Sequence, residues 1–193
     1  MKIIEIVLAV SVIISFSIYL SSPLLGGELL IISCFTLAFV YMLFGCLLLN
    51  GLSLRKLSFK GLSTTRILGT ILTGLALAMT VIGIQFRVMW WENIYTGLIP
   101  GLIGLTVAFL VSFYHYQKKK DSRYKQLFAR IALYGSLGFI LLLFPADTWF
   151  KIKFAAYPSY LNAGLEAFHN PDKPELREKA RTIYQETFEK DRE

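Results

Sequence analysis

Few residues in this 193-residue chain sit at spacings that could do chemistry. The run Tyr134–Gly135–Ser136–Leu137–Gly138 invites comparison with a serine nucleophile. That motif, G-x-S-x-G, needs glycine two places before the serine so that the backbone can turn sharply and expose the hydroxyl. Tyr134 fills that place, so Ser136 is expected to pack or to bond back onto its own helix. The two histidines, His115 and His169, are expected on opposite sides of a membrane, and neither has a cysteine or acidic pair at metal-ligand spacing. There is no glycine-rich phosphate loop, HExxH or CxxC. Cys34 and Cys46 share one apolar stretch. On a helix their twelve-residue separation is about 18 Å, whereas a disulfide needs Cα atoms within about 7 Å. No catalytic residue, metal or cofactor is therefore expected.

The ionisable residues Glu5, Glu28, Arg87, His115 and Arg130 fall near the ends of apolar stretches, where long side chains are expected to reach water. Asn50 and Gln85, also at such borders, read as terminal hydrogen-bonding groups. An enzyme acting on lipid would need Glu28, Arg87, Glu92 and Asp147 to converge at one surface.

The elements that carry these residues are apolar and long. Hydrophobic residues make up 55% of the chain and charged residues 17%, against about a quarter charged in soluble domains. Of the 13 acids, four (Glu5, Glu28, Glu92, Asp121) precede residue 147 and nine follow from Asp147 onward. The pattern predicts an all-α, polytopic membrane bundle over residues 1–150 and a small helical tail over 151–193. The expected spans are 3–20, 29–49, 67–86, 94–116 (with Pro100 bending it) and 128–144. The last is short for a bilayer, and a four-span arrangement with that stretch in the interface is the alternative. A cleaved signal peptide is disfavoured at the N-terminus, because Ser21–Ser22–Pro23 lacks the small-x-small pattern.

Charge sets the orientation. Residues 50–66 carry Arg55, Lys56, Lys60 and Arg66 without an acid. Residues 117–130 carry six cations against Asp121. Positive loops stay in the cytoplasm, so the N-terminus is expected inside and the tail outside, in a bacterial plasma or inner membrane. The net charge of +7 is accounted for by these loops, and no nucleic-acid partner is expected. Trp90, Trp91 and Tyr95 read as outer interfacial anchors, with partner contact as a second role for the tryptophans.

Helices in lipid associate through close contact of small residues. The third span carries Gly69, Thr73, Ala76, Thr80 and Gly83 at steps of three and four, and the fourth carries Gly97, Gly101, Gly104 and Ala108. These stripes are expected to face each other in the tightest contact of the bundle. Ser11, Ser15 and Ser22 on the first span, and Ala132, Gly135 and Gly138 on the fifth, read as further internal seams, with contacts to another subunit as the alternative.

In the tail, Leu161, Leu165 and Phe168 fall at helical spacing before the breaker His169–Asn170–Pro171. A second helix is expected from about Asp172, with Pro174 in its first turn and an apolar stripe of Leu176, Ala180, Ile183, Tyr184 and Phe188. Glu175–Lys179 and Glu186–Lys190 are i,i+4 pairs. A hairpin this small rarely folds alone, so it is expected to lean on the bilayer, the bundle or another protein. Leu176, Ile183, Tyr184 and Phe188 are its candidate partner contacts. These features favour a non-enzymatic accessory or scaffolding subunit that contacts membrane lipid and a protein partner. A homo-oligomeric channel or transporter and a lipid-directed enzyme are the alternatives.

Overall fold

A computed structural model describes residues 2–22, 26–50, 52, 63–89, 95–119, 123–145 and 147–188. Among these residues the chain is all-helical, without strands. The helices are α1 (Lys2–Ser21), α2 (Gly27–Asn50), α3 (Thr64–Val88), α4 (Tyr95–Lys119), α5 (Arg123–Leu143), α6 (Thr148–Lys153), α7 (Pro158–His169) and α8 (Pro174–Phe188). The first five are long and apolar enough to cross a membrane. Their outward faces expose large apolar side chains such as Ile13, Ile32, Phe39, Leu72, Ile103, Leu110 and Phe139. A continuous apolar belt of this extent needs lipid or protein against it.

α3 is the central helix. It packs against α2, α4 and α5, while α1 lies on α2, and its buried face includes Thr73, Ala76, Leu77, Thr80 and Gly83. Gly83 lies against the backbone of Gly97 and Leu98, Gly101 against Thr80, and Gly104 against the Ala76 methyl. Gly69 differs: a Cβ there would meet nothing within 4 Å. A second seam, between α2 and α3, is as close. A Cβ on Gly45 would stand 2.8 Å from the Gly74 Cα, and one on Gly74 would stand 2.6 Å from the Tyr41 carbonyl oxygen. Between α1 and α2, Ser15 and Ser33 hydroxyls lie 2.9 Å apart. Gly26 takes φ +93° beneath the Tyr19 backbone, where only a residue without Cβ fits.

Two boundaries depart from expectation. α5 begins at Arg123 rather than 128, so much of the expected basic loop is helical. α6 is a separate short helix after Pro145 and crosses the expected boundary at 150. Trp149 packs edge-on against Phe16 of α1, at 5.5 Å between ring centroids. Phe150 instead joins Phe154 and Phe188 in a small aromatic core with Tyr157, Tyr160 and Tyr184 around it. α7 and α8 close on each other through Ala163, Ala167 and Ala180. Pro174 opens α8, where its missing N–H costs nothing.

Candidate functional site

Polar side chains gather at the two ends of the bundle. At the end where α1 begins, Glu5 is only 8% exposed. Both its oxygens accept from the Arg130 guanidinium of α5. Glu5 also accepts from the Tyr41 hydroxyl at 2.7 Å, and the Tyr134 hydroxyl lies 3.2 Å from that of Tyr41. Three helices are thus tied by one paired charge. The expectation that Glu5 and Arg130 simply reach water is corrected here. At 125 residues apart in sequence, nothing local signals the pairing, and burial demands it once both helices pack.

Toward the same end of the bundle Asn50 acts as a node. Its amide nitrogen donates to the Cys46 carbonyl and the Thr70 hydroxyl, and its oxygen accepts from Arg66 Nε at 2.8 Å. The Arg66 guanidinium lies 5.4 Å from the Tyr124 ring centroid. Asn50 therefore joins α2 to α3 rather than merely ending its own helix.

At the opposite end Arg87 is 2% exposed, the largest of the fully buried side chains. It too was expected near water. Its Nε donates to the Leu141 carbonyl at 3.2 Å, and Nη2 donates to the Phe144 carbonyl. The reason is written in Pro145. A helical carbonyl accepts from the N–H four residues on, and for Leu141 that residue is a proline, which has none. Arg87 supplies the missing donor and pins the end of α5 to α3. Gln85, 1% exposed, lies one helical turn before Met89.

Beyond Arg87, the helices α6, α7 and α8 form a cap over the ends of α1, α2 and α3. A cleft of about 590 Å³ lies between cap and bundle. Its bundle side is Tyr19, Gly27 and Met89, and its cap side carries the three cations Lys153, Arg177 and Arg181 among aromatic and small residues. Lys153 Nζ sits 3.5 Å from the Tyr19 ring centroid, and desolvation holds its ammonium down at about 8. Burial pushes the Tyr160 phenol up to about 12. At the start of α6, Lys151 reaches Asp147 at 2.5 Å, and that hydrogen bond holds the carboxyl below its ordinary value.

The residues singled out from sequence are distributed as follows. Thr73, Ala76, Thr80 and Gly83 of α3 are buried, and Gly97, Gly101 and Gly104 approach that face from α4. Ala108 packs at the edge of the same core, and Gly69 stands apart. Leu176 and Ile183 pack into the α7–α8 seam. Phe188 is 4% exposed within the aromatic core, and Tyr184 borders both that core and the cleft. Trp90, Trp91 and Glu92 lie outside the described residues. Of the groups a lipid-directed enzyme would need, Arg87 is engaged with α5 carbonyls, Asp147 with Lys151, and Glu28 is exposed. Lys179 pairs with Glu166 of α7 at 3.4 Å rather than with Glu175. Lys153, Arg177 and Arg181 escaped sequence reasoning. The signal available was the i,i+4 spacing of the two arginines, which reads equally well as a solvated helix face.

No family model matches the chain, and comparisons with curated proteins and with solved structures find no significant similarity.

Proposed function

We propose that the chain is a five-span membrane protein that serves as a non-enzymatic accessory or scaffolding subunit, with its N-terminus in the cytoplasm and the α6–α8 cap outside. The cap docks a protein partner. The observation that carries this reading is that the cap has its own aromatic core and is held to α1 through Trp149 and Lys153. It is a positioned surface, not a trailing tail. The apolar stripe of α8 is largely taken up inside the cap. The face left for a partner is charged: Glu175, Glu178, Lys179 and Glu186 are exposed.

The bundle supports a static role. The α2–α3 and α3–α4 seams approach backbone contact, and the buried Glu5–Arg130 pair is satisfied by its neighbours. Orientation rests on charge. Both basic loops connect helices at the end where α1 begins, and positive loops stay cytoplasmic.

The test is purification in gentle detergent from the native membrane, with co-eluting proteins identified by mass spectrometry. Deleting residues 157–193 should leave insertion intact and remove a specific partner. An identical set of co-eluting proteins would defeat the docking role. Protease added to intact cells should trim the C-terminal end; trimming only in inverted vesicles would reverse the orientation.

A further inference from the structure

The cleft between cap and bundle is built for something negatively charged. Its volume of about 590 Å³ lies within the range of small-molecule sites. Among the described residues its lining contains Lys153, Arg177 and Arg181 and no aspartate or glutamate. Arg177 and Arg181 are one helical turn apart on α8, so both side chains lean over the same recess. Among the described residues Lys153 and Arg181 form no salt bridge. Lys153 is half-buried and rests on the Tyr19 ring. A desolvated ammonium resting on the Tyr19 and Phe154 rings is stabilised further by an anion that enters.

The walls decide which kind of anion. Tyr19, Tyr160 and Tyr184 line the cleft, and the aromatic surface suits hydrocarbon as well as charge. Gly164 lets the Phe150 ring pack directly on the α7 backbone in the cleft wall, where a Cβ would stand 2.6 Å from it. Tyr19 and Gly27 are at the ends of apolar helices, and Met89 follows the end of a third. A cleft at that level meets the headgroup layer of a bilayer, where phosphate and the first chain carbons lie side by side. Lysine and arginine are the side chains that bind phosphate, arginine through its planar fork.

We propose that this cleft binds the phosphate headgroup of an anionic membrane lipid, with Lys153, Arg177 and Arg181 around the phosphate and the tyrosines against the upper part of its chains. Binding would tie the cap to the bundle, because its ligands come from α6 and α8 while its floor comes from α1 to α3. This goes beyond the docking role and holds for either orientation of the bundle.

The experiment uses the full chain in neutral detergent. Phosphatidylglycerol, phosphatidylcholine and inorganic phosphate are titrated separately, and occupancy is read by native mass spectrometry and by the shift in unfolding temperature. Phosphatidylglycerol should bind and stabilise. Phosphatidylcholine and inorganic phosphate should do so at least about tenfold more weakly, the one lacking net charge and the other lacking chains. Lys153→Gln and Arg181→Gln should each weaken phosphatidylglycerol binding about tenfold, the loss expected for one charge-assisted hydrogen bond. Arg181 is exposed, so its variant should fold even if the Lys153 variant does not. Lys173→Gln, an exposed cation outside the cleft, should leave binding unchanged. The proposal is overturned if the lipids bind equally, if phosphate alone matches phosphatidylglycerol, or if Arg181→Gln and Lys173→Gln behave alike.

Discussion

Gly83 and Gly69 belong to the same sequence stripe on α3, yet alanine should affect them in opposite directions. A Cβ on Gly83 would stand 2.4 Å from Leu98 N, 2.5 Å from Leu98 Cα and 2.8 Å from the Gly97 carbonyl carbon. All three are backbone atoms, so no side chain can swing aside. Carbon atoms rest about 3.5–4.0 Å apart, and α3 and α4 must separate locally by about 1 Å to restore that. Overpacking of this kind costs about 1–3 kcal/mol. The helix gains about 0.5–1 kcal/mol from losing a glycine, so the net change at Gly83 is destabilising. At Gly69 a Cβ meets nothing within 4 Å, and only the gain remains. The two variants should therefore differ by the overpacking term. At roughly 2–4 °C per kcal/mol for a chain of this size, that is about 2–12 °C in unfolding temperature. Thermal unfolding of the purified protein in neutral detergent, followed by circular dichroism, reads it directly. Equal melting temperatures for Gly83→Ala and Gly69→Ala would refute the close approach of α3 and α4.

Gly101→Leu, whose Cβ would stand 2.6–2.9 Å from Thr80 atoms, should lower the melting temperature further; an unchanged value would contradict the seam. Glu5→Gln and Arg130→Gln should each destabilise by about 3–5 kcal/mol, since each leaves a buried charge unpaired. The double variant should cost less than the sum, and strict additivity in unfolding assays would mean that the two side chains do not pair. Arg87→Met strips the donors from the Leu141 and Phe144 carbonyls, at about 1–3 kcal/mol for each acceptor left unsatisfied. Hydrogen exchange should quicken at the end of α5, and exchange identical to wild type would show that Arg87 is not its anchor. Lys153 gives a pH signature. Below about 8 folded and unfolded chains both hold its proton, and the desolvation penalty is fully present. Between about 8 and the free-lysine value of 10.5 the unfolded chain binds more protons, so stability rises with pH. Lys153→Gln should lose that rise in a comparison of melting temperatures across the window, and parallel pH profiles would remove Lys153 as its source.

Much of the architecture follows from local pattern. Runs of apolar residues as long as a bilayer is thick become helices because nothing else satisfies the backbone in lipid, and small residues at steps of three and four mark a packing face wherever they fall. The stripes on α3 and α4, the breaker at Asn170–Pro171 and the start of α8 at Pro174 are legible on that basis. The sequence by itself therefore determined the all-helical class, the five long apolar segments and the helical hairpin that follows them. Tertiary structure alone decided where the charges went. Glu5 meets Arg130, and Arg87 meets carbonyls of α5, across separations of 125 and 54 residues. Periodicity carries no information about such pairs. A lone charge at the end of a span looks the same whether water or another helix receives it, and only the packing of the helices chooses between them. The same holds for Lys153, Arg177 and Arg181. They come to line one cleft only because α6 and α8 fold back over the ends of α1, α2 and α3.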